Sequence, residues 1–514
     1  MNRIDKLNER WHLMLMAGVF VLCTVLTGCA RPAAPEKPLA QPIEQAWDAR
    51  VDFQAGLTQE AQATLDQAAL EGASVYHIDL HISEDRGRLN GLEQVWYTNR
   101  EDVPLDEIYL RLFPNIFGGE ASVSEVKIGP DGQETAITPD YEFARSAIRL
   151  DLPTPLLPGA QIPIQMMFEV EVPEEMAGNY GLFGYFDDVL VLNEFYPVIP
   201  VYDDEGWNVE VPSPHGDVTY FDASFYRVRI TAPADLMFVT SGVTTEQTAT
   251  DQTQTLTVTA GPARDFYLAA SDAYAVVSEH VDDLQINSYT FDGHKYEEGA
   301  VLALRFAKNA LQSFSKLFGP YPYTEFDVAS TPMQALGMEY PGMTVINITL
   351  YDTDAEISGV PAPAILESVI VHEVAHQWFY NVVGNDQVDE PWVDEALVQY
   401  ATGRYYVDQY GETAARSYRQ SWYQRWDRVD RAEIPIGLPV GSYDGQEYGA
   451  IVYGRGPLFI EALAEEMGQA TFDAFLRDYY SSQRWEIGTG EEFKQIAEEH
   501  CACDLTPLFE AWVY

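Results

Sequence analysis

The sequence predicts a multidomain α+β fold, in which an N-terminal antiparallel β-sandwich-like domain is followed by a mostly helical domain. Between about Val75 and Val277 apolar and polar residues alternate, as in Tyr226-Arg-Val-Arg-Ile230, and glycine and proline separate the runs. From about Ile286 onward the pattern is mostly helical. With 514 residues, 46% of them hydrophobic, the chain can build two cores. We therefore predict domains at residues 74–283 and 284–514.

The amino terminus predicts export and lipid anchoring. Three basic residues precede an apolar run from Leu13 to Leu26, which is short for a membrane-spanning helix and typical of a signal peptide. Leu26-Thr-Gly-Cys29 matches the bacterial lipobox, where a peptidase cuts before a cysteine that is then acylated. We predict a lipoprotein signal peptide at 1–28 and lipidation of Cys29, which would anchor the protein to the outer membrane or cell surface. An ordinary signal peptide that ends near a cysteine is the alternative.

Residues 29–73 are predicted to connect this anchor to the folded domains. The segment 30–42 is rich in proline and alanine and is expected to be a semi-extended tether. A helical segment is expected near Thr58 to Glu71, before the first strands.

The charge balance argues against a nucleic-acid partner. The chain has 80 acidic and 30 basic residues, a formal net charge of −50, and the acidic residues are spread throughout. An acidic field could favour cationic peptides or free amines. A solvated acidic surface is the simpler interpretation, and the oligomeric state stays open.

The segment Val371-His372-Glu373-Val-Ala-His376 predicts a metal site. Four residues of an α-helix turn through roughly 400°, so His372 and His376 project from one face and can converge on one ion. Glu373 lies on a slightly rotated face, where it can accept a proton from an activated water without filling the coordination sphere. It is the candidate general base.

The surrounding helices support this interpretation. Pro361 and Pro363 suit the start of the first helix, and Gly384 suits its stop. A second helix is expected to begin at Pro391, which places Glu395 where it can face the two histidines. Two imidazoles and one carboxylate leave a fourth position open, as catalytic zinc requires. A chance match to a five-residue pattern is the alternative.

These residues resemble the gluzincin aminopeptidase family typified by aminopeptidase N. The family's zinc signature, His-Glu-x-x-His with a more distant glutamate, matches His372 to Glu395, and the flanking Ala-His-Gln-Trp-Phe and Trp-Val-Asp-Glu-Ala segments are similar too. The resemblance implies one Zn²⁺ per chain, peptide substrates and a thermolysin-like catalytic domain at 284–514.

A second signature of the family, Gly-x-Met-Glu-Asn, is similar to Gly337-Met338-Glu339-Tyr340. By resemblance Glu339 would bind the α-amino group of the substrate, with Gly337 and Met338 in the same substrate-binding segment. An exopeptidase must recognise a cationic amine at a fixed distance from the scissile carbonyl, which a carboxylate at a strand end can do. The strand Met343 to Leu350 could pair with a peptide. A solvent-exposed glutamate in a glycine turn is the alternative.

The third resemblance is Tyr453-Gly-Arg-Gly456, which precedes an amphipathic helix from Pro457 to Met467. In the family such a tyrosine donates a hydrogen bond to the oxyanion, a contact that can contribute several kcal/mol to catalysis. Tyr448 is the nearby competitor, and packing is the usual role for most of the 31 tyrosines.

Three departures from the family bear on substrate choice, and the first is Tyr340, which stands where asparagine is usual and alters the expected shape of the amine pocket. The chain stops where the family's catalytic domain ends, so the domains that usually follow are expected to be missing and the cleft to be more open. The family's amino-terminal domain also gives a glutamine to the amine pocket. Here Asn193 or Glu194 could stand in, or either could simply be a polar residue at a strand end.

Cysteine usage adds little. Apart from Cys23 and Cys29, the chain has only Cys501 and Cys503. A disulfide across one intervening residue would be strained by its geometry, so we expect inert thiols rather than a reactive dithiol or metal ligands. His500 suggests a second metal site, but nothing supplies the other ligands.

Together these observations predict a zinc-dependent metallopeptidase, most simply an aminopeptidase. His372, His376 and Glu395 would bind the metal, Glu373 and Tyr453 would be catalytic, and Glu339 would anchor the substrate. A zinc endopeptidase with an open cleft is the nearer alternative. A surface-binding lipoprotein with a non-catalytic zinc site is the more distant one.

Overall fold

The computed structural model describes residues 53–65, 68–130, 132–176, 179–291 and 293–514. The predicted signal peptide, Cys29 and the proline-alanine tether lie outside these residues. Among the residues described, no helix is long and apolar enough to span a membrane.

The amino-terminal part is built almost entirely of strands. Their bounds are β1 Val75–Ile82, β2 Arg88–Thr98, β3 Leu105–Arg111, β4 Glu120–Ile128, β5 Thr135–Ala136, β6 Asp140–Glu142, β7 Ala147–Leu156, β8 Gln161–Glu171, β9 Phe183–Phe186, β10 Val189–Leu192, β11 Tyr202–Asp203, β12 Gly206–Trp207, β13 Ser224–Pro233, β14 Met237–Thr240, β15 Val243–Ala249, β16 Thr253–Ala263 and β17 Leu268–Ser271.

These strands form a sandwich, as the alternating pattern predicts. One sheet has the order β15-β16-β13-β1-β2-β8-β4-β5, and its strands pair antiparallel except for β1 with β13. The sheets β3-β7-β6 and β14-β17-β10-β9 cover it. Buried residues from all three sheets, such as Ile78, Ile108 and Leu190, share one core. Alternation therefore places one face of each strand in this core.

The second part combines a sheet with helices. Its strands are β18 Tyr274–Val281, β19 Leu284–Phe291, β20 Glu325–Thr331, β21 Gly337–Tyr340, β22 Met343–Asn347, β23 Glu356–Ile357 and β24 Val360–Pro361. The helices, counted from a single turn α1 at Gln59–Gln62, are α2 His294–Phe318, α3 Ala362–Ala375, α4 Trp392–Tyr410, α5 Glu412–Trp426, α6 Gly445–Ala450, α7 Gly456–Met467, α8 Gln469–Ser482, α9 Gly490–Cys501 and α10 Thr506–Trp512.

A second large core lies among these helices. It includes Phe314 of α2, Ile370 of α3, Leu397 of α4 and Phe459 of α7. The described residues from Phe53 onward fall in one compact unit. The boundary between residues 283 and 284 stays a prediction.

Two predicted elements are shorter in the structure. In the range of the expected helix from Thr58 to Glu71, the described residues, which omit 66 and 67, form only α1 and a 3-10 turn at Ala68–Leu70. The Thr58 hydroxyl caps α1, but so short a helix gains few backbone hydrogen bonds, and the segment is held instead by burying apolar residues such as Leu65. The strand predicted to reach Leu350 ends at Asn347, whose side chain accepts a hydrogen bond from the Thr349 amide at 3.0 Å and starts a 3-10 turn.

The strand predicted to pair with a peptide lies inside its sheet. The order β18-β19-β20-β22-β21 leaves β22 hydrogen-bonded on both sides, and the sheet edge belongs to β21, which carries Glu339. On the Glu339 side of the sheet, a peptide could therefore add beside β21 but not beside β22.

The prediction for the two C-terminal cysteines is wrong. Cys501 and Cys503 form a disulfide with a Cα–Cα distance of 5.1 Å, within the usual range. The reason is local: α9 ends at Cys501, and Ala502 adopts a left-handed conformation with φ 51° and ψ 40°, which turns the two side chains toward each other. His500 is paired with Asp478 at 3.0 Å.

Candidate metal centre and active site

The structure brings the two predicted histidine ligands together at the end of α3. His372 lies in the last turn, and His376 caps the helix in a right-handed conformation. Their Nε2 atoms are 3.4 Å apart. The helix ends at Ala375, well before Gly384, so the predicted role of Gly384 as a stop is wrong. That glycine instead leaves room for Arg264, because a β-carbon there would overlap the Arg264 guanidinium.

Glu395 completes the set from the first turn of α4. Its Oε2 lies 3.1 Å from His372 Nε2 and 3.7 Å from His376 Nε2. The ligand atoms of these three residues all lie within 4.8 Å of one another. Apart from these two imidazoles, the buried Glu395 Oε2 has no hydrogen-bond partner within the described part of the chain. A buried carboxylate oxygen that faces only two imidazole nitrogens fits Zn²⁺.

Further residues orient the ligands. The Phe379 carbonyl accepts a hydrogen bond from His376 Nδ1 at 3.1 Å, and the Gln399 amide lies 3.3 Å from His372 Nδ1. Such contacts fix the ring orientation of metal-binding histidines.

Burial and neighbouring charges shift the pKa values of the three ligands in different directions. Burial lowers the pKa of His372. Burial also opposes protonation of His376, but the carboxylates of Glu339 and Glu395 outweigh it and raise the pKa of His376 well above its usual value. Burial of Glu395 is outweighed by hydrogen bonds to both histidines, so the pKa of Glu395 lies well below its usual value. The carboxylates around His376 therefore favour a positive charge at this position, which suits a cation.

Glu373 is buried beside this cluster and lines the cavity in front of it. Burial and then the charge of Glu339 raise its pKa well above the usual value, which suits a general base. Gly337 of β21 crosses directly over it, since a β-carbon there would overlap the Glu373 carboxylate.

Glu339 is a buried residue with 5% exposure, so the interpretation as a solvent-exposed turn residue is wrong. One of its oxygens, one from Glu373 and a nitrogen of His376 lie within 4.8 Å of one another. The Gln387 amide donates to Glu339 Oε1 at 2.9 Å and to Asp394 Oδ2 at 2.8 Å. Glu339 is thus held at the centre by residues that no local motif marked.

Tyr453 contacts a metal ligand directly, whereas the competing Tyr448 lines the cavity beside it. The Tyr453 hydroxyl donates to Glu395 Oε1 at 2.6 Å. The ring of Tyr448 packs edge-on against that of Tyr453 at 5.6 Å. Arg455, the basic residue of the motif, donates to the Trp512 and Ala511 carbonyls and is structural.

A cavity of about 350 Å³ opens in front of these groups. Besides Glu339, Glu373, His372, Glu395 and Tyr453, it is lined by Asp217 and His215 from the amino-terminal part and by Gln399, Tyr418 and Arg425. Asn193 lines a small adjoining cavity with Asp217 and Glu339. Glu194 is buried near Asp265 and Arg111, whose charges act on its carboxylate.

The sequence did not predict Asp217 and Arg425 as site residues, because each stands alone in its segment without a recognisable motif.

Comparisons with known proteins agree with this geometry. Residues 302–512 match the peptidase family M1 domain. Aminopeptidase RNPEPL1 of Mus musculus is 26% identical over 225 residues, which are 40% of this chain and 30% of that protein. Aminopeptidase B of Rattus norvegicus is 28% identical over 202 residues, 37% of this chain and 30% of that protein. The matches thus span about a third of the length of these curated relatives.

The likeness in fold extends over both parts of the chain. An M1 zinc metallopeptidase from Deinococcus radiodurans superposes with a TM-score of 0.63 over 86% of this chain and 93% of that one, at 21% identity. The fold and the converging ligands define a two-domain zinc metallopeptidase architecture. The match of residues 302–512 to the peptidase family M1 domain, together with these ligands, supports the aminopeptidase N-type gluzincin family.

Proposed function

We propose that the protein is a zinc aminopeptidase that removes residues from the amino terminus of peptides. The observation that carries this proposal is the position of Glu339, whose carboxylate is buried within 4.8 Å of Glu373 and His376. A buried carboxylate is stabilised by a cationic amine, whereas a blocked amino terminus would leave it uncompensated. The substrate amine is therefore held at a fixed distance from the base.

The residues present divide the chemistry among them. Zinc held by His372, His376 and Glu395 would activate a water and polarise the scissile carbonyl. Glu373 would take a proton from the attacking water and pass it to the leaving amine. The Tyr453 hydroxyl would donate to the developing oxyanion, and Glu339 would hold the amino terminus.

The proposal also covers location. The lipobox sequence at Leu26–Cys29 supports an enzyme anchored through Cys29 to the outer membrane or cell surface. Mass spectrometry of the amino-terminal peptide from the native host should find acylated Cys29, and Cys29→Ser should release the protein from membranes. An unmodified amino terminus at another cut site would contradict this part.

The activity is tested with a panel of aminoacyl and peptidyl fluorogenic amides, each with a free and an N-acetylated amino terminus. We expect cleavage of the free forms only, lost after chelation and restored by zinc. Glu339→Gln should lower kcat/KM for the free forms roughly 10-fold to 100-fold, because a charged hydrogen bond contributes about 1.5–3 kcal/mol.

Other outcomes would separate the alternatives. Equal cleavage of acetylated peptides would show an endopeptidase. Stoichiometric zinc with no turnover of any peptide would favour a surface-binding lipoprotein. A loss of zinc from Glu339→Gln would mean that Glu339 serves the metal rather than the amine.

A further inference from the structure

The site cavity has one side rich in carboxylates and one basic residue away from them. Glu339 and Glu373 group with His376, whereas Glu395 lies between the two histidines. Arg425, near the end of α5, lies on the side of the cavity next to the other histidine ligand, His372. Its guanidinium donates to Gln399 Oε1 at 3.2 Å, and the Gln399 amide nitrogen lies 3.3 Å from His372 Nδ1. The cavity therefore has acidic side chains next to His376 and a basic side chain near His372.

Arg425 has donors to spare. Its Nη1 donates to Gln399 Oε1 and to the Tyr453 carbonyl, at 3.2 and 3.3 Å. No carboxylate within the described ranges lies in ion-pair distance of it. Arg419 on the same helix is paired with Glu412 and Glu461. In a chain with 80 acidic residues, a half-buried arginine that faces a cavity without an acidic partner can take an anion from outside.

We propose that Arg425 binds the C-terminal carboxylate of short peptides, so that the preferred substrates are di- and tripeptides with free ends. This inference rests on the proposed aminopeptidase function and names its substrate class. A short peptide at neutral pH carries an ammonium group at one end and a carboxylate at the other. The first matches Glu339 and the second matches Arg425.

The reach of the cavity agrees with this length. One residue of extended peptide advances about 3.4 Å. Two hydrogen-bond steps of 3.3 and 3.2 Å, through one amide, connect His372 to the Arg425 guanidinium. The guanidinium thus lies within roughly three residues of extended peptide from the ligand histidine. The volume of about 350 Å³ is sufficient for a short peptide.

A purely structural role for Arg425 predicts a different result. If Arg425 only holds Gln399 and the Tyr453 backbone, its loss would weaken the cleavage of every substrate to the same degree. If it binds the carboxylate, its loss would affect substrates with a free carboxylate alone. The ratio of the two rates therefore separates the roles.

The experiment compares kcat/KM for trialanine and for trialanine amide, both with a free amino terminus. We expect the zinc-loaded enzyme to prefer the free acid at least tenfold, as a charged hydrogen bond would give. Arg425→Gln should bring the ratio near one, because cleavage of the free acid should fall more than cleavage of the amide, and Arg425→Lys should retain part of the preference. Arg416→Gln, an exposed arginine on the same helix, is the matched control and should keep the full ratio.

A second readout avoids turnover. Calorimetry with Glu373→Gln protein should show tighter binding of the free acid than of the amide, and Arg425→Gln should remove the difference. A wild-type ratio near one, or an equal loss for both peptides in Arg425→Gln, would overturn the proposal while leaving an aminopeptidase. If neither peptide is cleaved, the proposed function itself fails, and calorimetry still decides whether Arg425 binds a carboxylate.

Discussion

The helical part and the strand-rich part contribute to the site in opposite ways. The helical part places the ligands and the base on two successive helices, α3 and α4, so their relation follows from short stretches of chain. The strand-rich part contributes isolated residues from distant loops, such as Asp217 in the cavity and Arg264 behind it. The chemistry is thus local in sequence, whereas the walls and supports of the cavity are assembled by the tertiary fold.

Arg264 shows how the two parts depend on each other. It is buried at the end of the strand-rich part and donates to the Phe221 carbonyl at 3.1 Å. It also donates to the Tyr380 and Val382 carbonyls of the helical part, at 3.2 and 3.1 Å. These carbonyls follow His376 closely in the chain. The strands therefore fix the backbone that leaves the metal centre.

The largest effect should come from the local chemistry alone. Glu373→Gln keeps the shape of the side chain but removes the base, so we expect kcat to fall about 10² to 10⁴-fold. Zinc content and thermal stability should stay unchanged. Glu367→Gln, on the same helix but hydrogen-bonded to Tyr405 at 2.9 Å, is the control and should keep its turnover. Residual activity close to wild type would assign the base elsewhere.

The next effect tests the long-range support. Arg264→Met leaves several buried carbonyls without a donor, and we expect the free energy of unfolding to fall by roughly 3 kcal/mol. Chemical denaturation monitored by tryptophan fluorescence measures this. Arg416→Met, at an exposed arginine of α5, is the comparison and should cost less. Equal losses in both variants would mean that Arg264 holds nothing specific.

A smaller loss of activity is expected from a substitution at the contact between strand β21 and helix α3. A β-carbon at Gly337 would overlap Glu373 and crowd Val369, so Gly337→Ala must shift the base or the edge strand. We expect kcat/KM to fall about 10- to 100-fold, as a small misplacement can cost. Gly441→Ala, where a β-carbon meets nothing within 4 Å, is the control. Full activity of Gly337→Ala would show that the two elements are free to separate.

The smallest expected effect is a pH-dependent change in the stability of the strand-rich part, caused by His77. Burial, and then the charge of Arg227, lowers the pKa of His77 to about 3 from the usual 6.5. Between pH 6.5 and about 3, His77 is protonated in the unfolded chain but neutral in the folded one. The contribution of neutral His77 to the free energy of unfolding is therefore complete above pH 6.5 and is lost as pH falls toward 3. At pH 5 the loss is roughly 2 kcal/mol.

Thermal unfolding of wild type and His77→Phe at pH 7.5 and pH 5 isolates this contribution. Because other titrating groups are shared, the stability gap between the two proteins should shift in favour of His77→Phe at the lower pH. A gap that does not change with pH would show that His77 titrates normally in the fold.

The same contrast explains what could be predicted. His372, His376 and Glu395 were predictable because helical geometry converts their spacing into proximity. The β-sandwich was predictable because alternation reports which face is buried. The positions of Asp217 and Arg425 could not be predicted, since each depends on how distant segments pack. The Cys501–Cys503 disulfide was missed because it depends on the left-handed conformation of Ala502, which an alanine rarely adopts.

The wide turn that carries Tyr453 separates two tasks along one nearly continuous helix. The residues Ile451–Arg455 form a π-helical turn between α6 and α7. Each residue of a regular helix advances the side-chain direction by about 100°, so a helix without this turn would couple the angle of the phenol to the angle of the core residues after it. The π-helical turn changes the direction in which the side chains after it project, relative to those before it. Before it the helix presents Tyr448 to the cavity, and after it Phe459 and Leu463 face the core.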